Sequence, residues 1–145
     1  MDWLEVLEKD LRKDEGLRLK AYKDTVGVWT CGYGATGSDV KEGVVWTQEQ
    51  ADLRLLEDMK RAIKDARSFF EGFNQLDPVR KTVIVNMAFN LGLTRLSGFK
   101  NFKAALVAKD YNTAALEMRS SKWATQVKQR ATRLAKRMST GKIEP

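Results

Sequence analysis

The chain has no histidine. That removes Ser-His-Asp and Cys-His relays and every histidine-ligated zinc site. Its one cysteine, Cys31, excludes an internal disulfide framework and a thiolate zinc site, and it fits synthesis in a reducing cytoplasm. Cys31 lies in an apolar, strand-like run and reads as a small core residue, not a nucleophile. No apolar run approaches the roughly 18 residues that suggest a membrane span. The opening "MDWLEVLEKDL" has acids where a signal peptide has a basic start and an apolar middle. The expectation is therefore no export signal, no signal-anchor and no stable membrane insertion. There are no repeats, no low-complexity tract and no linker.

What is present suits one domain, or one domain with two lobes: 145 residues, 43% hydrophobic and 31% charged, long enough to bury a real core. The net charge of +7 attracts polyanions, whether nucleic acid, anionic membrane or a cell-wall polymer. Without histidine, acid–base chemistry falls to Asp, Glu, Lys or Tyr, and carboxylates lead.

The periodicity predicts a helix over Asp2–Lys13, with Trp3, Leu4, Leu7 and Leu11 on one stripe and Gly16 as its stop. Residues 17–45 are rich in Val, Thr, Trp, Tyr and Gly and read as a small antiparallel sheet, with a hairpin turn near 25–27. Thr47 to Gln50 is a capping-box signature opening a long helix with Arg54, Lys60, Arg61 and Lys64 on its wet face. Pro78 opens a helix that is apolar on nearly every side and stops at Gly92; Asn86 and Asn90 share one of its faces and need partners. Short helices follow near 100–109 and 113–119, then a basic, aromatic-interleaved segment from Ser121 to Lys142. This is an α+β chain: a sheet lobe over about 1–46, a connecting helix over about 47–71, and a helical lobe over about 72–145.

Two acids stand out in "EGLRLKAYKDTVGVWTCGYG". Glu15 falls at the first helix's end and Asp24 at a sheet edge, nine residues on, just ahead of a Gly-punctuated run. Glycosidic cleavage needs an acid on the leaving oxygen and a second carboxylate to activate water or form a covalent intermediate. Glu15, Asp24 and a water held by the Thr30 hydroxyl meet that need. Asp14 and Glu15 follow Leu11 by three and four residues, so spacing alone leaves the choice between them open.

"DEGLRLKAYKDTVGVWTCGYG" resembles the signature of the phage lysozymes, the endolysin muramidases of glycoside hydrolase family 24, and especially their T-even branch. "VRKTVIVNMAFNLG", "GFKNF" and "SSKWATQVKQRATRLAKRMSTG" are similar to later family segments in order and spacing. Residues 38–75 match more loosely. The resemblance implies the two-lobed lysozyme-like fold and hydrolysis of the β-1,4 bond between N-acetylmuramic acid and N-acetylglucosamine in bacterial peptidoglycan. It implies Glu15 as general acid, Asp24 as the carboxylate serving the attacking water, and Thr30 as the residue positioning that water. It also implies Phe89 lining a cleft, Arg130 near Glu15, and Arg133 paired with Asp14. A nearby cation lowers a carboxyl pKa, whereas a general acid must keep its proton; burial by substrate works the other way. No cofactor or metal is implied, because two carboxylates and water suffice. A monomer, an inverting outcome and passage from the infected host's cytoplasm to the wall through a holin lesion are further expectations. Departures are Ala35, where the family usually has histidine, and Phe102 and Glu117 at contact positions expected to be small or amide-bearing.

Two rivals remain. A lytic transglycosylase would use Glu15 alone, and a water-positioning Asp24–Thr30 pair would then have no task. A non-enzymatic nucleic-acid binder would use the basic C-terminal segment; the leading expectation is no nucleic-acid partner.

Overall fold

The computed structural model describes residues 2–144. It has an α+β, lysozyme-like fold. The order is α1 (Trp3–Glu15), β1 (Arg18–Lys23), β2 (Trp29–Gly32), α2 (Gln48–Phe69), a 3-10 turn (Glu71–Gln75), α3 (Pro78–Ser97), α4 (Lys100–Val107), α5 (Tyr111–Arg119), α6 (Lys122–Val127) and α7 (Gln129–Thr140). The chain divides into two compact units. One is Glu5–Arg61; the other gathers the residues up to Leu4 with those from Ala62 onward. Among the described residues, no helix is long and apolar enough to cross a membrane.

In the Glu5–Arg61 unit, α1 buries Leu7 and Leu11. It closes through the Gly16 N–H on the Arg12 carbonyl at 3.1 Å, with Gly16 left-handed at φ 70°. The sheet is smaller than the sequence suggests. β1 and β2 pair antiparallel, with Tyr22 opposite Thr30, Lys23 opposite Trp29, and a bulge between Arg18 and Tyr22. Residues 44–46 only bond along β1's other edge, Ala21 N–H to the Val44 carbonyl and Trp46 N–H to the Leu19 carbonyl, both at 2.8 Å. That edge is thus covered without a third full strand. Ala21, Cys31 and Val40 form a small core under Trp29, Val44 and Trp46, which gives Cys31 the packing role its sequence context predicts. The capping box at α2 forms as expected: Gln50 N–H on Thr47 Oγ1 at 3.1 Å and Thr47 N–H on Gln50 Oε1 at 2.8 Å.

Arg54 departs from its expected place on the wet face of α2. Its side chain is only 18% exposed. It lies 3.2 Å from Asp58 and 2.6 Å from Asp39, sits over the Trp46 ring at 5.7 Å, and donates to the Thr36 carbonyl. Burial opposes its charge, but the two carboxylates outweigh this and raise its pKa. Arg54 thus holds the segment just after Ala35.

In the other unit, α3 is buried continuously from Thr82 to Phe89. Asp77 caps it by accepting from the Arg80 N–H at 3.1 Å, with Pro78 in the first turn. Gly92 breaks the helix as expected, at φ 76° and ψ 165°, but helical structure resumes and runs to Ser97. Around α3, the buried Phe102, Leu106, Met118, Trp123, Leu134 and Met138 of α4 to α7 complete the core. Arg80 receives α7's open end, donating to the Met138 carbonyl at 2.7 Å and the Ser139 carbonyl at 3.2 Å.

Arg137, within the basic segment from Ser121 to Lys142, is 2% exposed. It donates to Glu144 at 2.6 to 3.2 Å and to Thr82 Oγ1 at 3.4 Å. Bonding to Arg137 lowers the Glu144 pKa, despite some burial. A carboxyl whose folded pKa lies below its ordinary 4.5 stabilises the fold above that value, and this contribution is lost as pH falls through the folded pKa. Glu144→Gln is expected to cost about 1–3 kcal/mol at pH 7, read by thermal unfolding. The gap to wild type should close in acid, as the wild-type carboxylate itself protonates. An unchanged melting temperature at pH 7 would show that Glu144 does not hold Arg137.

Candidate active site

Glu15, Asp24 and Thr30 all belong to the Glu5–Arg61 unit. The turn after β1 explains how two of them are fixed. Asp24 starts the hairpin, its N–H on the Val28 carbonyl at 2.9 Å, and Gly27 turns the chain at φ 85°. Asp24 Oδ1 accepts from the N–H groups of Val26 at 2.9 Å and Val28 at 2.8 Å. Among the described residues, Asp24 Oδ2 accepts no hydrogen bond. Thr30 is 5% exposed and donates its hydroxyl proton to the Val28 carbonyl at 3.0 Å. One residue's backbone therefore anchors both side chains: the Val28 N–H holds the carboxylate and its C=O takes the hydroxyl proton. The hydroxyl's lone pairs are left as acceptors.

Glu15 is the last residue of α1 and half-buried. Its side chain lies against the backbone of Gly34. A Cβ built on Gly34 would collide with Glu15 Oε1 and sit 3.0 Å from its Cδ. Gly34 is also left-handed, at φ 71°. The loop carrying it is tied shut by Cys31 and Ala35, which exchange both backbone bonds at 2.9 Å. Asp14, one residue earlier on α1, is also half-buried.

The remaining expected residues lie in the other unit. Phe89 is buried in α3, 8% exposed. Arg130, near the start of α7, donates its Nε to Asn86 Oδ1 at 2.9 Å. Asn90, a turn further along α3, accepts from Trp123 Nε1 at 2.8 Å. The two amides are thus partnered with side chains of α6 and α7. Arg133 Nε lies 3.8 Å from Glu144 Oε1. Phe102 and Glu117, the departures noted above, line one cavity of about 600 Å3 with Phe99, Lys100, Lys122 and Trp123. Phe102 is buried there and stacked on Phe69, ring centroids 6.1 Å apart.

In the sequence Gly34 is one glycine of the Gly-punctuated run that follows Asp24. Its close approach to a carboxylate has no local signal. Asn86 as the partner of Arg130 is likewise 44 positions away in the chain.

The α+β, lysozyme-like fold suits a lysozyme-class glycoside hydrolase, and comparison with known proteins bears out that class. The phage lysozyme family model matches residues 12–140, and the chain belongs to that family. It is 27% identical to the probable T4-type lysozyme 2 of Dictyostelium discoideum, over 95% of this chain and 96% of that one. It is 35% identical to an endolysin of Acyrthosiphon pisum secondary endosymbiont phage 1, over 78% and 73%. It is 31% identical to the pre-baseplate central spike protein Gp5 of Enterobacteria phage T4, over 92% of this chain but only 28% of that longer protein.

Gly34→Ala tests the packing at Glu15. The added methyl would strain a left-handed backbone by about 1–2 kcal/mol and displace the carboxylate. Glycosidase activity is expected to fall about a hundredfold, well beyond what the modest stability loss accounts for. Wild-type turnover in a folded Gly34→Ala protein would show that the Glu15 position tolerates movement.

Proposed function

We propose that the protein is an endolysin muramidase. It hydrolyses the β-1,4 bond between N-acetylmuramic acid and N-acetylglucosamine, with Glu15 as general acid and Asp24 and Thr30 serving the attacking water. The observation that carries this reading is the Val28 backbone bridge. It occupies Asp24 Oδ1 and the Thr30 proton, leaving Asp24 Oδ2 and a Thr30 lone pair as acceptors. A water donating one hydrogen to each would have its own lone pair to present to the anomeric carbon. Asp24 Oδ2 takes the proton as the new C–O bond forms. Glu15 gives its proton to the leaving glycosidic oxygen as the old bond breaks. Attack by water from the face opposite the leaving group inverts the anomeric centre.

This water-holding pair also argues against a transglycosylase, which closes an anhydro ring without water. The positive net charge suits an anionic wall polymer. Similarity to phage endolysins supports a part in host lysis. On this reading the protein acts as a monomer and reaches the wall through a holin lesion.

The test is the release of new reducing ends from purified peptidoglycan. Wild type is expected to produce them, and Glu15→Gln to produce them about a thousandfold more slowly while remaining folded. Asp24→Asn keeps an oxygen for the Val26 and Val28 amides, so it should retain stability yet lose activity. Anhydro ends in place of reducing ends would overturn the hydrolytic mechanism. Wild-type rates in Glu15→Gln would overturn the assignment of the acid.

A further inference from the structure

Arg12 and Glu15 stand one turn apart on α1, and both meet the loop between Cys31 and Ala35. Glu15 lies against Gly34. Arg12 Nη1 donates to the Tyr33 hydroxyl at 2.8 Å, and its guanidinium lies over the Tyr33 ring, 5.0 Å from the centroid. Gln48 Nε2, from the first turn of α2, donates to the same hydroxyl at 3.2 Å. Asp52 Oδ1 accepts from both donors, Arg12 at 2.9 Å and Gln48 at 2.8 Å. Glu8 takes the Arg12 Nε at 3.1 Å. The bond between Arg12 and Asp52 raises the pKa of the first and lowers that of the second, so both stay charged through the neutral range.

The loop has little freedom elsewhere. Its stem is closed by the reciprocal Cys31–Ala35 bonds. Gly32 leaves no room for a side chain, since a Cβ there would sit 2.9 Å from the Trp46 ring. Tyr33, between the two glycines, is 8% exposed and is the loop's one long side chain. Its phenol ties the apex to α1 and α2. Moving that apex moves Gly34, and with it the surface that confines the Glu15 carboxylate.

We propose that Tyr33, held by Arg12 and Gln48, which Asp52 ties together, is a positioning residue for Glu15, holding the Gly34 backbone against the general acid. This rests on the muramidase reading. The role is indirect: Tyr33 acts through the backbone of its neighbour and need touch no substrate. Phenylalanine at this position would keep the ring and its packing but deprive Arg12 Nη1 and Gln48 Nε2 of a shared acceptor. Lysine in place of Arg12 would keep the charge but lose the planar fork that spans a phenol and two carboxylates.

The experiment compares wild type, Tyr33→Phe, Arg12→Lys and Glu15→Gln. It measures reducing-end kinetics, melting temperature, and the titration of the Glu15 carboxyl by carbon NMR without substrate. For Tyr33→Phe and Arg12→Lys the expected result is a kcat lower by about tenfold, equivalent to about 1.4 kcal/mol in the barrier. KM should stay within about twofold, and the Glu15 titration midpoint should move. A purely structural tyrosine would lower the melting temperature and leave that midpoint in place. An unmoved Glu15 midpoint with wild-type kcat in Tyr33→Phe overturns the proposal, whatever happens to stability. If wild type cleaves and Glu15→Gln does not, that outcome leaves the muramidase reading standing. A folded wild type that releases no reducing ends overturns both.

Discussion

In the Glu5–Arg61 unit one guanidinium links three elements that are separate in the chain. Arg12 reaches Glu8 on its own helix, Tyr33 in the loop after β2 and Asp52 on α2. A small antiparallel pair of strands has too little apolar surface to fix three such elements by burial alone. Here the core under the strands amounts to Ala21, Cys31 and Val40 with three partly buried neighbours. A planar donor fork supplies the missing angular specification. Its side chain is 34% exposed, so solvent screens the Coulomb attraction and the pair with Asp52 contributes little net stability. What the fork contributes is direction: one guanidinium nitrogen holds both the phenol and the carboxylate, and slippage of α2 against α1 breaks several bonds at once.

The same device recurs with a different balance. Arg54 ties Asp39 and the Thr36 carbonyl to α2, across the turn that follows Ala35. In the other unit, Arg80 collects the last carbonyls of α7, and Arg137 holds Glu144 from a buried position. Burial changes the energetics. An exposed arginine loses little when a partner is removed, because water replaces it. A buried one keeps its desolvation cost and loses the bonds that offset it. Arg137 is therefore a stability element, whereas Arg12 is a geometric one, though the sequence presents both simply as basic residues.

That difference marks where sequence reading succeeds. Local rules hold wherever the partners are close in the chain. The Thr47 capping box, the Gly16 stop, the helix start at Pro78 and the turn near Gly27 all appear as expected, because each is decided by a few neighbouring residues. The all-round apolar character of α3 is legible for the same reason. Long-range pairings are not legible. Arg54 reads as a wet-face residue because its neighbours on the helix are polar; Asp39, fifteen residues earlier, turns it inward. The sheet is shorter than its composition suggests because residues 44–46 satisfy an edge without forming a strand. The restart after Gly92 was hidden because a glycine with positive φ ends one helical run but does not forbid another.

The site itself shows both kinds of information in one place. Type, spacing and family likeness point to Glu15, Asp24 and Thr30 as candidates, and the hairpin that brings Asp24 and Thr30 onto the Val28 backbone follows from local turn chemistry. The confinement of Glu15 depends instead on a glycine nineteen positions later. On the muramidase reading, Glu15 must deliver a proton along one line, and a close-packed wall that fixes its carboxylate serves that need. Glycine is the residue that lets backbone come that close, and a left-handed φ is the conformation it alone adopts without strain. The two glycines flanking Tyr33 thus divide the work: Gly32 seats the loop on Trp46, Gly34 faces the acid, and the tyrosine between them is the only side chain long enough to anchor the loop to both helices.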